Sequence, residues 1–253
     1  MPRPARSIRT QAIILKRRDF GEADRVLTLL TPQHGKVEGI AKGARKPTST
    51  KTGHVELFTL VDILLHRGRN LDIVVQAELV EPYLALREDL QRGAYASYAV
   101  ELLDRFTEAE DEDSGELFGL LKETFERLCK VEDARLAVRY YEIRLLDIVG
   151  FRPELQECVV TREPLRPIDQ YFSYSGGGVV SPEGLHLVES AVKLPLRTLK
   201  LLRHLQRSPY NIIENLKVDQ NTHQDIERIL LGYITFILER NLQSVDFIRR
   251  IRS

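Results

Sequence analysis

Cysteine is scarce in this chain: Cys129 and Cys158 are its only two. They are too few for a disulfide framework and show no C-x-x-C spacing, so they read as reduced thiols. No run of about 18 consecutive apolar residues occurs, which excludes an ordinary membrane-crossing helix. The opening Met1-Pro2-Arg3-Pro4-Ala5-Arg6 lacks the apolar core of a signal peptide. The expectation is a soluble, cytoplasmic protein without a membrane partner.

Catalytic and metal signatures are missing as well. There is no nucleophile elbow, no phosphate-binding glycine loop followed by lysine and serine, and no dinucleotide fingerprint. Gly176-Gly177-Gly178 follows Tyr174-Ser175 without the strand-to-helix context those motifs need. The histidines His34, His54, His66, His186, His204 and His223 are scattered, with no His-Glu-x-x-His spacing. The acidic run Glu110 to Glu116 suggests calcium, yet an EF-hand loop counted from Asp111 would need glycine where Glu116 stands and an acid where Lys122 stands. A solvated acidic linker is the expectation there. No enzyme and no cofactor are expected.

Net charge is zero over 253 residues, but it is segregated. Between Arg3 and Lys51 twelve Lys and Arg face four Asp and Glu, a local charge of +8. Between Glu101 and Asp133 twelve acids face Arg105, Lys122, Arg127 and Lys130, a local charge of −8. Such polarity suits a surface that meets phosphate on one side and repels it on the other.

The length allows two domains. Gln11–Leu15, Val26–Thr31 and Lys36–Ala41 are short apolar or β-rich runs punctuated by Gly21, Pro32 and Gly35, and they predict a three-stranded meander. Val55–Leu65 and Leu71–Val80, joined by the turn His66–Asn70 and ended by Pro82, add two strands. Five strands with one long basic loop, Lys42-Gly43-Ala44-Arg45-Lys46-Pro47, predict a partly open barrel of the OB type over 1–82. Helical periodicity begins after Asp89: Tyr95 to Phe106, Leu117 to Leu128, and Leu136 to Val149 before Gly150. Residues 151–184, rich in proline and glycine, read as an inserted module of small β ribbons. Helices resume through Leu194–Leu205 and Ile226–Leu242, and Phe247 and Ile248 close the chain. The fold class is thus α+β, with a mostly helical domain over 83–253.

Single-stranded nucleic acid is held by cations along the backbone and flat side chains against the bases. Lys16, Arg17, Arg18, Arg25, Lys36, Lys42, Arg45, Lys46, Lys51, Arg67 and Arg69 supply the cations. The glycine and proline of the Lys42–Lys46 loop would let a strand approach its backbone. Stacking groups are thin, since only Phe20 and Phe58 are aromatic before Tyr83 and His34 and the arginine planes are the other candidates, so charge should dominate binding and salt sensitivity should be marked.

Ala12-Ile13-Ile14-Leu15, Phe20-Gly21-Glu22-Ala23-Asp24-Arg25, His34-Gly35-Lys36 and Lys42-Gly43-Ala44-Arg45-Lys46 closely resemble the RecO family of bacterial recombination mediators. Tyr141–Leu146 before Gly150-Phe151-Arg152-Pro153, Phe172-Ser173 before the three glycines, and Leu242–Phe247 extend the resemblance over nearly the whole chain. It implies an N-terminal OB fold, a helical C-terminal domain, and a DNA repair role: binding single- and double-stranded DNA, annealing strands, and helping RecA displace single-stranded-DNA-binding protein together with RecR. RecF, RecA and single-stranded-DNA-binding protein are further candidate partners, and nucleoid association follows. Docking of that protein's acidic tail would suit Arg197, Lys200, Arg203 and Arg207.

Many members of the family carry a four-cysteine zinc module in the insert. The matching positions here are Cys158-Val159-Val160-Thr161 and Ser181-Pro182-Glu183-Gly184. One ligand of four remains, and structural zinc needs four good donors, so the expectation is a zinc-ribbon-like insert without zinc. Two other readings compete with the DNA mediator. One is an adaptor whose helical domain docks partner proteins with little direct DNA role; the other is an RNA-binding OB protein.

Overall fold

The computed structural model describes residues 7–46, 49, 53–107, 114–239 and 242–252; Pro47, Lys51 and the acidic run 108–113 lie outside them. The chain forms two compact units, Met1–Lys130 with Phe247–Ser253, and Val131–Asp246. No helix among the described residues is long and apolar enough to cross a membrane.

The first unit is built on five strands: β1 (Ser7–Phe20), β2 (Asp24–Thr31), β3 (Gly35–Ala41), β4 (Leu60–His66) and β5 (Asp72–Glu81). They close in the order β1-β2-β3-β5-β4. The barrel is therefore closed rather than partly open as expected. Closure comes from a short parallel pairing of Gly39 with Asp72 and Ile40 with Ile73. Gly39 suits that seam, because a Cβ there would stand 3.3 Å from Val74 Cγ2.

β1 is far longer than its apolar run Gln11–Leu15. It serves two neighbours, pairing with β4 over Ser7–Ile13 and with β2 over Ile13–Phe20, with a bulge between Ile14 and Lys16. Ala12–Leu15 are buried and Lys16–Phe20 exposed, so the strand leaves the core where the charges begin. Ala12, Ile14, Leu27, Leu29, Val61, Ile63, Leu65 and Val74 fill the interior. Val55 is buried but Val55–Thr59 is not strand, so β4 starts later than its hydrophobicity suggests.

After the barrel this unit continues in α1 (Ala85–Glu88), α2 (Leu90–Phe106) and α3 (Ser114–Lys130). The Asp89 carboxylate accepts the backbone N–H groups of Gln91 and Arg92 and starts α2. Phe125 of α3 packs edge-on against Phe58 and Tyr83, each at 5.6 Å between ring centroids. Phe58 and Tyr83 hold left-handed φ values of 64° and 44°. Burial of both rings holds that backbone in place.

The second unit packs α4 (Ala134–Ile148), α5 (Leu196–Arg207), α6 (Tyr210–Ile213) and α7 (Gln220–Leu238) with a small sheet of β6 (Gln170–Ser173), β7 (Gly178–Val180) and β8 (Val192–Leu194). Its strand order is β7-β6-β8, so the ribbon expected within 151–184 gains a third strand from beyond it. Phe172 meets Tyr233 of α7 edge-on at 5.4 Å. On α4, Arg139 and Glu142 form an ion pair at 2.8 Å with both side chains buried. The last helix, α8 (Gln243–Arg252), closes the chain.

Candidate nucleic-acid interface

The turn between β1 and β2 and the loop after β3 meet at one lip of the barrel. Gly21 takes φ of 57° to let Phe20 pair with Asp24. Ala44 is fully buried, and this plug fixes the loop that carries Lys42, Arg45 and Lys46 at the surface. The loop is tied down further: the Gly43 N–H donates to Asp24 Oδ1 at 2.7 Å and the Arg45 N–H to Ala23 O at 2.9 Å. The Arg45 guanidinium donates to Gly21 O at 3.3 Å and pairs with Asp19 at 3.4 Å.

Beside this loop Phe20 stands 48% exposed, with the Arg18 guanidinium 5.9 Å from its ring centroid. Phe58, the other aromatic candidate, is buried and belongs to the packing against α3. Arg18, Phe20, Lys42, Arg45 and Lys46 thus bring cations and one exposed ring together.

Several predicted cations are engaged within the fold. Lys16 and Lys36 both pair with Asp104 of α2. The Lys36 ammonium also donates to the backbone oxygens of Asp104 at 3.1 Å and Thr107 at 3.0 Å, so it satisfies carbonyls at the C-terminal end of that helix. Burial alone would raise the Asp104 pKa, but the two lysines outweigh it and hold the carboxyl below its ordinary value. Glu56 likewise takes Arg17 and Arg25, and Arg25 also reaches Asp19 at 3.3 Å. Nothing in the sequence signals Asp104 or Glu56 as organisers of the basic face, since they lie far along the chain from their partners.

Arg67 and Arg69 sit apart from the lip, on the hairpin between β4 and β5. With His34 and Lys36 they line a cleft of about 680 Å³. Arg18, Lys42, Arg67 and Arg69 form no ion pair among the described residues, and all four are exposed. Lys51 falls outside the described residues.

On α5 the four predicted partner-binding residues diverge. Arg197 pairs with Asp219 at 3.6 Å and Asp225 at 3.8 Å. Arg203 is half-buried, and its Nε donates to Leu155 O at 2.7 Å. Burial pushes its pKa below the usual arginine value. Lys200 and Arg207 are exposed on the outer side of the helix.

The insert does bring the four former ligand positions together. Cys158 is buried, and its Sγ accepts the Ser181 N–H at 3.3 Å. Burial would raise the thiol pKa, but hydrogen bonds from the Thr161 hydroxyl and the N–H groups of Ser181, Thr161 and Val160 draw it below its ordinary value. Ser181 Oγ in turn accepts the Gly184 N–H at 3.2 Å. A Cβ on Gly184 would stand 3.2 Å from Cys158 Sγ and 3.3 Å from Thr161 Cγ2. The positions have closed on one another through hydrogen bonds and contact, and one thiol with two hydroxyls does not fit tetrahedral zinc. Among the described residues no group of three or more His, Cys, Asp or Glu could hold a metal ion.

A closed five-stranded barrel with a basic lip, followed by a helical part, defines an OB-type protein with a C-terminal helical domain. The family model "Recombination protein O N terminal" matches residues 5–83, and "Recombination protein O C terminal" matches residues 87–246. The chain is 40% identical over 247 residues to the DNA repair protein RecO of Roseiflexus sp. (strain RS-1), covering 98% of this chain and 87% of that protein. It is 38% identical over 243 residues to the protein of the same name from Pelotomaculum thermopropionicum, covering 96% and 93%. A Dehalococcoides mccartyi protein of that name is 34% identical over 232 residues, covering 92% and 91%. The chain belongs to the RecO family of DNA repair proteins.

Proposed function

We propose that this protein is a non-catalytic DNA-binding mediator of recombinational repair, which anneals complementary strands and helps load RecA onto single strands covered by single-stranded-DNA-binding protein, acting with RecR. The observation that carries the reading is the barrel lip. There Arg18 lies over an exposed Phe20 and the adjoining loop carries Lys42, Arg45 and Lys46, which joins phosphate neutralisation to one base-stacking surface. Lys16, Arg17, Arg25 and Lys36 are held in ion pairs with Asp104 and Glu56 beside this face, and Arg67 and Arg69 stand apart from it on the β4–β5 hairpin. Lys200 and Arg207 are the exposed members of the α5 set left for an acidic partner segment: Arg197 is in ion pairs and Arg203 is half-buried on Leu155 O, whereas Arg207 spends only its Nε, on Arg203 O at 3.2 Å. The functional division is proposed at residues 82–83, with nucleic acid on the first part and protein partners on the second.

Annealing of complementary oligonucleotides tests this directly. Wild-type protein is expected to accelerate it, and Arg45→Glu/Lys46→Glu to lose the acceleration while still forming a complex with RecR. An adaptor with little direct DNA role would show no acceleration in either protein. Loss of RecR binding along with annealing would mean that the lip serves the partner instead.

A further inference from the structure

We infer that the cleft beneath the β4–β5 hairpin is a second DNA site, which holds, chiefly through its phosphates, the strand to be paired with one seated at the barrel lip. The inference rests on the DNA-binding reading above and deepens it. Arg67 and Arg69 flank Gly68 on the hairpin, and all three line the cleft. A Cβ on Gly68 would lie 1.9 Å from Leu71 O, and its N–H donates to Asp72 Oδ1 at 3.1 Å. The turn is thus closed tightly between two arginines, both exposed and without an ion pair among the described residues. Across the cleft, the Pro32–His34 turn is fixed by Thr31 Oγ1, which accepts the His34 N–H at 3.1 Å, and by Ser114 Oγ, which donates to Pro32 O at 3.1 Å.

Among the described residues no Phe, Tyr or Trp lines this cleft. The flat groups there are the His34 imidazole and the arginine planes, smaller platforms than the ring Phe20 gives the lip, so phosphate is the main feature the arginines recognise. Phosphate is common to every strand whatever its sequence. The two sites are also distinct in space. From Lys36, at the cleft, to Lys42, at the lip, six residues of nearly extended chain span about 20 Å at 3.3 Å per residue. Between them Asp104 neutralises Lys16 and Lys36, while Glu38 and Asp72 line the cleft itself beside its arginines. The separation exceeds a Debye length of about 8 Å at physiological salt, so each site holds its own phosphates. Two strands carried on one barrel meet without competing for the same cations.

The test compares Arg67→Glu/Arg69→Glu with wild type in two assays: anisotropy of a labelled single-stranded oligonucleotide, and energy-transfer annealing of a second, complementary strand. The variant is expected to keep its affinity for the first strand, to anneal at least about tenfold more slowly, and to show a salt slope of second-strand capture lower by about 1.4, two phosphates at about 0.7 each. Gly68→Ala, which reshapes the turn without changing charge, is expected to slow annealing too. Normal annealing by the charge-reversal variant overturns the inference alone. A parallel loss of first-strand binding also overturns it, since that marks one continuous site. If wild type neither binds nor anneals DNA, the reading under it fails and this inference falls with it.

Discussion

Replacing Asp104 with asparagine removes the carboxylate that Lys16 and Lys36 share while nearly preserving its shape. Two consequences of opposite sign follow. The first is a loss of stability. Asp104 and Lys36 are each about one-fifth exposed, so the pair is partly desolvated, whereas Lys16 is 54% exposed and its contribution is screened. Lys36 keeps its bonds to the Asp104 and Thr107 carbonyls, which limits the damage. A charge-assisted hydrogen bond contributes about 1.5–3 kcal/mol and an exposed pair about 0.2–1, so a net loss of about 1–2 kcal/mol is expected. That corresponds to a fall in Tm of about 2–8 °C for a chain of this size. The second consequence is tighter DNA binding. A phosphate about 7 Å from the removed charge gains about 0.6 kcal/mol at a water-like dielectric, so two phosphates gain about 1.2 kcal/mol. Screening over a Debye length of about 10 Å halves this, which leaves an affinity increase of about threefold near 0.1 M salt. Fluorescence anisotropy with a single-stranded oligonucleotide measures it. A destabilised variant that binds DNA no better than wild type would refute the reasoning, because Lys16 and Lys36 would then lie off the path of the strand.

The insert should be indifferent to metal: protein purified without chelator is expected to carry less than about one tenth of an equivalent of zinc, and stoichiometric zinc would contradict the reading of Cys158. His223 is buried 3.4 Å from Asp133, and burial, helped by Arg135 and opposed by Asp133, lowers its pKa below the ordinary 6.5. Between the folded and unfolded values the unfolded chain binds the extra proton, so stability is full above about pH 6.5 and falls as the pH drops through that window. Urea midpoints measured from pH 7.5 to 5 should decline for wild type and flatten in His223→Gln. Two glycine substitutions should move stability in opposite directions. Gly232→Ala would place a Cβ 2.2 Å from Tyr174 Oη and cost about 1–3 kcal/mol, while Gly119→Ala in α3 meets nothing within 4 Å and gains about 0.5–1 kcal/mol. Equal effects in a melting experiment would count against both assignments.

Local chemistry made much of this fold readable. Pro32, Gly35 and Pro82 punctuate apolar runs, so the strands are visible as elements, and the helices announce themselves by spacing. The second half of β1 was not, because Lys16–Phe20 carries a polar sequence whose extended form is imposed by pairing with β2. Closure of the barrel depends on β3 meeting β5 across more than 30 residues, a contact that periodicity cannot express. The short α6 followed Pro209 in a stretch with too few residues to show a period. At the candidate site, the basic residues were legible as a cluster but not as individuals. Which of them are committed to Asp104, Glu56 and Asp19 is set by long-range partners, whereas the lip formed by Phe20 with Arg18 lies within three residues of sequence. Convergence of Cys158, Thr161, Ser181 and Gly184 was legible only through resemblance to the family.

The central claim is that DNA lies against the barrel lip, and binding of a labelled single-stranded oligonucleotide across a salt series tests it most directly. Arg18→Glu/Lys42→Glu is the informative variant, because neither side chain forms an ion pair among the described residues and neither change breaks one. Wild type should bind with a steep log–log slope of about −0.7 per phosphate contacted, and the variant should flatten it by about 1.4. A variant slope equal to that of wild type would place the DNA elsewhere on the protein.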